Sequence, residues 1–211
     1  MKKIFLGFCT LVFVSAAHAQ IKSRVSFGPT LGVGHSWTSA DHVGNVNNKF
    51  FPLYAAGLAM IYSADEHWGI GADLKYSSEG EKYPTDPNDD NDYRKIRINY
   101  LRIPVKGIYF FGDYGDKMRP KVAVGPTLGF RLGGENEIYV DGREVSQVSS
   151  KSFTESFDIG VQIGGGINFR ISPAVWLNTD ISYYHGLKDI YTVEGKLRNL
   201  ALNVGLQFGI R

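Results

Sequence analysis

The stretch ALNVGLQFGIR (201–211) decides how the rest of the chain is read. Leu202, Val204, Leu206, Phe208 and Ile210 share one parity, and Ala201, Asn203, Gly205, Gln207, Gly209 and Arg211 share the other. A period of two is a β-strand, because successive side chains point to opposite faces of a sheet. The second face is the unusual one. It carries glycine and amides where a water-facing strand would carry Lys, Thr or Glu, and no tail follows to cover the strand. An uncovered strand needs a partner along its edge.

The same pattern recurs along the chain. Val25, Phe27, Pro29, Leu31, Val33 and Trp37 alternate with Ser26, Gly28, Thr30, Gly32, Gly34 and Ser36. Runs over 52–64, 67–79, about 94–111, 121–132, 157–170 and 175–184 repeat it, so the closing stretch makes eight strands. No segment sustains a helical period. Short connections at 64–67, 112–118 and 171–173 alternate with long polar ones at about 39–51, 79–93, 134–152 and 186–196. Long sequential strands predict an antiparallel up-and-down meander, and eight of them can close into a barrel without free edges.

Composition agrees. The 211 residues include 25 Gly, 12 Tyr, 13 Phe and 3 Trp, which favours β-structure with close backbone approach. A net charge of +2 gives no electrostatic case for nucleic acid. The opening MKKIFLGFCTLVFVSAAHAQ (1–20) has Lys2 and Lys3, an apolar stretch over 4–17, and Ala17-His18-Ala19 as a small-x-small cleavage site. That pattern predicts a secretory signal peptide over 1–19 and a barrel domain over 20–211. Cys9, the one cysteine, lies within that segment behind Phe8, which argues against lipidation and leaves the mature chain without thiol chemistry.

Two barrels of opposite polarity fit eight alternating strands: a soluble one with apolar residues inside, and a membrane one with apolar residues outside. The small-residue face suits the narrow interior of an eight-stranded barrel, and as a water-exposed surface it would lack charge. Its charges come in both signs: Asp73, Lys75, Arg102, Lys106, Lys121, Arg131, Asp158, Arg170 and Asp180. In a closed lumen they are expected to pair with one another. Aromatics at strand ends on the apolar parity, among them Trp37, Tyr54, Tyr62, Trp68, Tyr76, Tyr109, Phe111, Phe169 and Tyr183, read as interfacial girdles. The reading is an all-β, eight-stranded antiparallel transmembrane barrel in outer-membrane lipid, a monomer whose long connections face outward.

No motif points to catalysis or a cofactor. TDPNDDNDY (85–93) spaces Asp86, Asn88, Asp90 and Asp92 like a calcium loop, but Asn91 replaces the glycine at the sixth position and Arg97 the glutamate at the twelfth. GGGINF (164–169) and GVGHSW (32–37) lead into no helix, so neither cradles a phosphate. Rim pairs such as His185 with Ser182, or His35 with Ser36, leave a lipid-modifying enzyme as the least favoured reading. Large lumenal side chains, including Arg102, Lys106, Arg131, Arg170, Trp176 and Tyr184, are expected to fill the bore. A narrow pore or uptake protein is the alternative to a structural or interaction role.

Particular segments carry a resemblance: YLRIPVKG (100–107), VGPTLGF (124–130), FDIGVQIGGGINF (157–169), YYHGLKDI (183–190) and NLALNVGLQFGI (199–210). Over the whole mature chain the sequence resembles the Bacteroidota outer-membrane β-barrel family that includes PorT-like proteins. It departs at Arg102, where that family often has an acidic residue, and is similar in architecture to OmpA- and OmpX-type barrels. The resemblance implies the outer membrane, insertion by the barrel assembly machinery, and a role as an accessory of a secretion or envelope complex. Asn203, Gly205, Phe208 and Ile210 also resemble the C-terminal signal that this machinery recognises.

Overall fold

The computed structural model describes residues 24–39, 49–86, 89–191 and 195–210. The segment expected to be a signal peptide, with Cys9, lies outside the described residues, as does most of the connection expected at 39–51. The described residues form nine strands in order: β1 (Val25–Ser39), β2 (Pro52–Ser63), β3 (Trp68–Asp86), β4 (Asp89–Phe110), β5 (Met118–Val140), β6 (Arg143–Ser149), β7 (Phe157–Ser172), β8 (Val175–Asp189) and β9 (Lys196–Ile210). All pairings are antiparallel.

Eight of these strands close a ring. β4 pairs with β5, β5 with β7, and β1 with β9 from Val25↔Ile210 to Ser39↔Lys196. The last strand therefore meets the first, which answers the edge problem posed by 201–211. The seam is tight: a Cβ on Gly28 would stand 1.8 Å from the backbone oxygen of Leu206. Only glycine fits there.

Polarity is inverted relative to a soluble barrel. Leu31 (63%), Ile163 (56%) and Ile181 (60%) are exposed, whereas Arg102 (4%) and Asp158 (0%) are buried. An apolar outside around a charged inside is stable only in lipid. Aromatic rings collect near the short turns, where Trp68 and Phe111 each lie 5.0 Å from Tyr109.

The outward face departs from expectation. The stretches 79–93 and 134–152, expected as long polar connections, are largely strand. β3 runs on to Asp86 and β4 starts at Asp89, while β5 runs to Val140 and turns into the ninth strand, β6. The β5–β6 turn is Asp141-Gly142 with φ of 51° and 72°, the left-handed pair that a two-residue hairpin requires. Among the described residues β6 pairs only with β5, so it extends the sheet beyond the barrel and forms no stave of it.

Candidate functional site

The lumen is where the inward parity brings chemistry together, and it is layered. Nearest the short turns, Ile61, Ile108 and Phe110 form a buried apolar cluster with Ala123 packed against it. Below that layer Arg119 lies over the Phe110 ring, 4.3 Å from its centroid.

Above it sits a polar layer. Lys106 Nζ donates to Asp73 Oδ2 at 2.8 Å, and Lys75 Nζ lies 3.3 Å from the same oxygen. Lys121 bridges to Asp180 at 2.8 Å and also donates to Asn178 Oδ1. A cavity of about 30 Å³, large enough for a water molecule, lies among these groups.

The next layer is a clamp around Arg102. Its Nε and Nη2 donate to the two oxygens of Glu79 at 3.0 and 2.8 Å, a bidentate pair, and Nη1 donates to Asp158 Oδ2 at 2.7 Å. The Tyr184 hydroxyl donates to the same Asp158 oxygen at 2.8 Å, and Asn199 Nδ2 to Glu79 Oε2 at 3.2 Å. The Tyr100 and Tyr184 ring centroids lie 4.2 and 4.6 Å from the guanidinium. One cation between two carboxylates, with planar stacking, is an arrangement lysine could not reproduce.

A second apolar layer covers the clamp. Ile96, Ile98, Tyr100, Tyr184, Ile190 and Leu197 pack together, with Tyr83, Phe153 and Tyr191 against them. Higher still, Tyr191 donates to Glu81 Oε1 at 2.6 Å, and burial pushes the Glu81 carboxyl above its ordinary range. Apolar layers therefore lie both above and below the ion-paired core of Asp73, Lys75, Glu79, Arg102, Lys106, Lys121, Asp158 and Asp180.

Asp73, Lys75, Arg102, Lys106, Lys121, Asp158 and Asp180 thus meet in the lumen. Arg131 and Arg170 do not join them. Arg131 donates to the Thr154 and Lys151 carbonyls and to Thr154 Oγ1, fastening the segment before β7. Arg170 lies near the short turns beside the Trp176 ring, 5.9 Å from its centroid. Glu79, the strongest partner of Arg102, escaped the sequence reading because it falls where a connection was expected. Of the residues at the closing strand, Asn203 donates to Ser182 Oγ at 3.0 Å, and Gly205 pairs with Thr30 and Asn178.

The rim pairs considered for catalysis are separated by the pleat. Ser182 is buried in the lumen and His185 is exposed on the outer face. Ser36 Oγ donates inward to Gly80 O at 2.8 Å, while His35 stacks on Trp37 and Phe50. At the hairpin tips Asp92 Oδ1 accepts the Asp141 N–H at 2.8 Å, stabilising the turn.

A closed ring with a lipid-compatible outside and an ion-paired inside defines an integral β-barrel of the bacterial outer membrane. Residues 18–192 match the family described as Outer membrane protein beta-barrel domain, and the chain belongs to that family. Neisserial surface protein A is similar over 87% of this chain and 97% of its own, with a TM-score of 0.51 and 15% identity. OprG from Pseudomonas aeruginosa is similar over 92% of this chain and 97% of its own, with a TM-score of 0.56 and 11% identity. At such identities these likenesses concern the fold alone. No curated protein sequence matches the chain significantly.

Proposed function

We propose that this chain is a structural or interaction protein of the cell envelope, acting through its outward face and its partners. The observation that supports this is the filled bore: two apolar layers enclose an ion-paired core whose cavities are water-sized. The sheet of β3, β4, β5 and β6, which rises beyond the apolar band, supplies the surface for a partner. In its finer form the proposal is a non-enzymatic, PorT-like accessory of a secretion complex. It is exported by residues 1–19, inserted as a monomer by the barrel assembly machinery, and addressed by Asn203, Gly205, Phe208 and Ile210.

Affinity purification of the detergent-solubilised barrel after cross-linking in intact cells tests the reading. An envelope protein captured by wild type, and lost when 141–148 are deleted, is expected. A barrel that captures nothing contradicts it.

The second reading is a narrow pore, favoured by Lys75, Lys106 and Lys121 beside a water-sized cavity. It requires both apolar layers to move.

A further inference from the structure

The outer surface at the seam of β8, β9 and β1 forms a ladder whose rungs follow the strand register. Ile181, Leu202 and Val33 are cross-strand neighbours, each about half exposed or more. Two residues outward come Tyr183, Leu200 and His35, then His185, Arg198 and Trp37. Above them Lys196 pairs with Asp189 and Ser39. The sequence along the barrel wall is aliphatic, aromatic, cationic. That is the order of acyl chain, interface and headgroup in a membrane.

The aromatic rungs form one connected patch. His35 stacks on Trp37 at 5.1 Å and on Phe50 at 5.0 Å, and Tyr183 lies 6.2 Å from both Trp37 and His185. Arg198 stands on the lipid-facing parity between Trp37 and His185. Its Nη1 donates to the backbone oxygens of Gly186 (2.8 Å) and Leu197 (3.1 Å), which holds the guanidinium in place. Nε and Nη2 have no hydrogen-bond partner among the described residues, and neither Arg198 nor Lys196 forms an ion pair there. Among the described residues, Asp189 opposite Lys196 accepts the Gly195 N–H at 3.0 Å, and Glu155 bridges Lys188 at 3.1 Å.

A cation on the outer face of a barrel is tolerated at the headgroup level, where phosphates supply the counter-charge. We propose that this seam binds the phosphate of an outer-leaflet lipid headgroup, with Arg198 and Lys196 as its ligands and the Trp37–His35 patch beneath it. The occupant is a lipid because the ladder continues unbroken into the aliphatic rung, which a free phosphate would leave unused.

Native mass spectrometry of the full barrel, released from mild detergent with phosphatidylglycerol or with a diacylglycerol of the same chains, tests this. Wild type is expected to retain phosphatidylglycerol selectively, and Lys196→Gln/Arg198→Gln to retain it roughly thirty-fold less, since each cation near an anionic headgroup contributes comparably. Lys117→Gln/Arg143→Gln, which removes the same charge elsewhere, should match wild type. Should the double variant fail to fold, Lys196→Gln alone reads the same effect at roughly five-fold. Unchanged retention, equal loss in the charge-matched control, equal binding of the diacylglycerol, or displacement of the lipid by millimolar inorganic phosphate would each overturn the proposal.

Discussion

Arg102 is the residue on which the interior turns. Removing one member of a buried ion pair leaves the others charged and unpaired, which costs about 3–5 kcal/mol. Arg102→Met should therefore lower unfolding stability by about that amount in urea titrations of the reconstituted barrel. Adding Glu79→Gln and Asp158→Asn to it should recover most of the loss, because no orphaned charge remains. If the triple variant is no more stable than the single one, the clamp is not the source. Glu81, above the membrane band, gives a pH signature. Its carboxyl is raised by burial, so the folded state holds the proton more tightly than the unfolded one. Its contribution to stability is full below the ordinary value of 4.5 and declines as pH rises through the folded value. Glu81→Gln should flatten that part of the stability–pH curve. Parity alone placed Asp73, Arg102 and Asp158 in the lumen. Glu79 continues the parity of Asp73, Lys75 and Ser77, but it stands where the alternating run was expected to give way to a connection, and Ser78 and Gly80 (φ of 150°) blur the pattern on either side of it.

At the scale of elements, the seam and the outer hairpin carry distinct tests. Gly28→Ala would push a methyl group against the backbone of β9, at a cost on the order of 1–3 kcal/mol of overpacking. A weakened heat-modifiable form on electrophoresis is the expected result. For the closing strand, Phe208→Asp separates addressing from folding. If Phe208 is part of an assembly signal, the variant refolds in detergent yet fails to assemble in cells. Normal assembly in cells contradicts the signal. At the hairpin, Asp141→Ala with Gly142→Ala removes the left-handed turn and should expose 143–149 to added protease, with the eight-stranded barrel intact. The staves themselves were legible because lipid and lumen impose strict alternation on every strand. The hairpin was legible in principle through Asp141-Gly142 within IYVDGREV (138–145). It was obscured because strands beyond the membrane face water and lose the apolar parity that marked the others.

For the whole molecule, polarity is the governing fact. One alternating pattern fits a soluble barrel and a membrane barrel equally well. The small and mixed-charge character of the second face chose between them, and the exposed Leu31, Ile163 and Ile181 agree with that choice. What periodicity could not convey was the layering inside: apolar closure at Ile61, Ile108 and Phe110, and again at Ile96, Ile98 and Tyr100, depends on which inward residues fall at the same height. Height is set by register between distant strands, which sequence alone does not display. A bore closed in this way should not conduct. Planar-bilayer recording of the purified wild-type barrel is the most direct test of that central claim. The account predicts a silent bilayer at neutral pH under applied voltage, and discrete, reproducible conductance steps would contradict it.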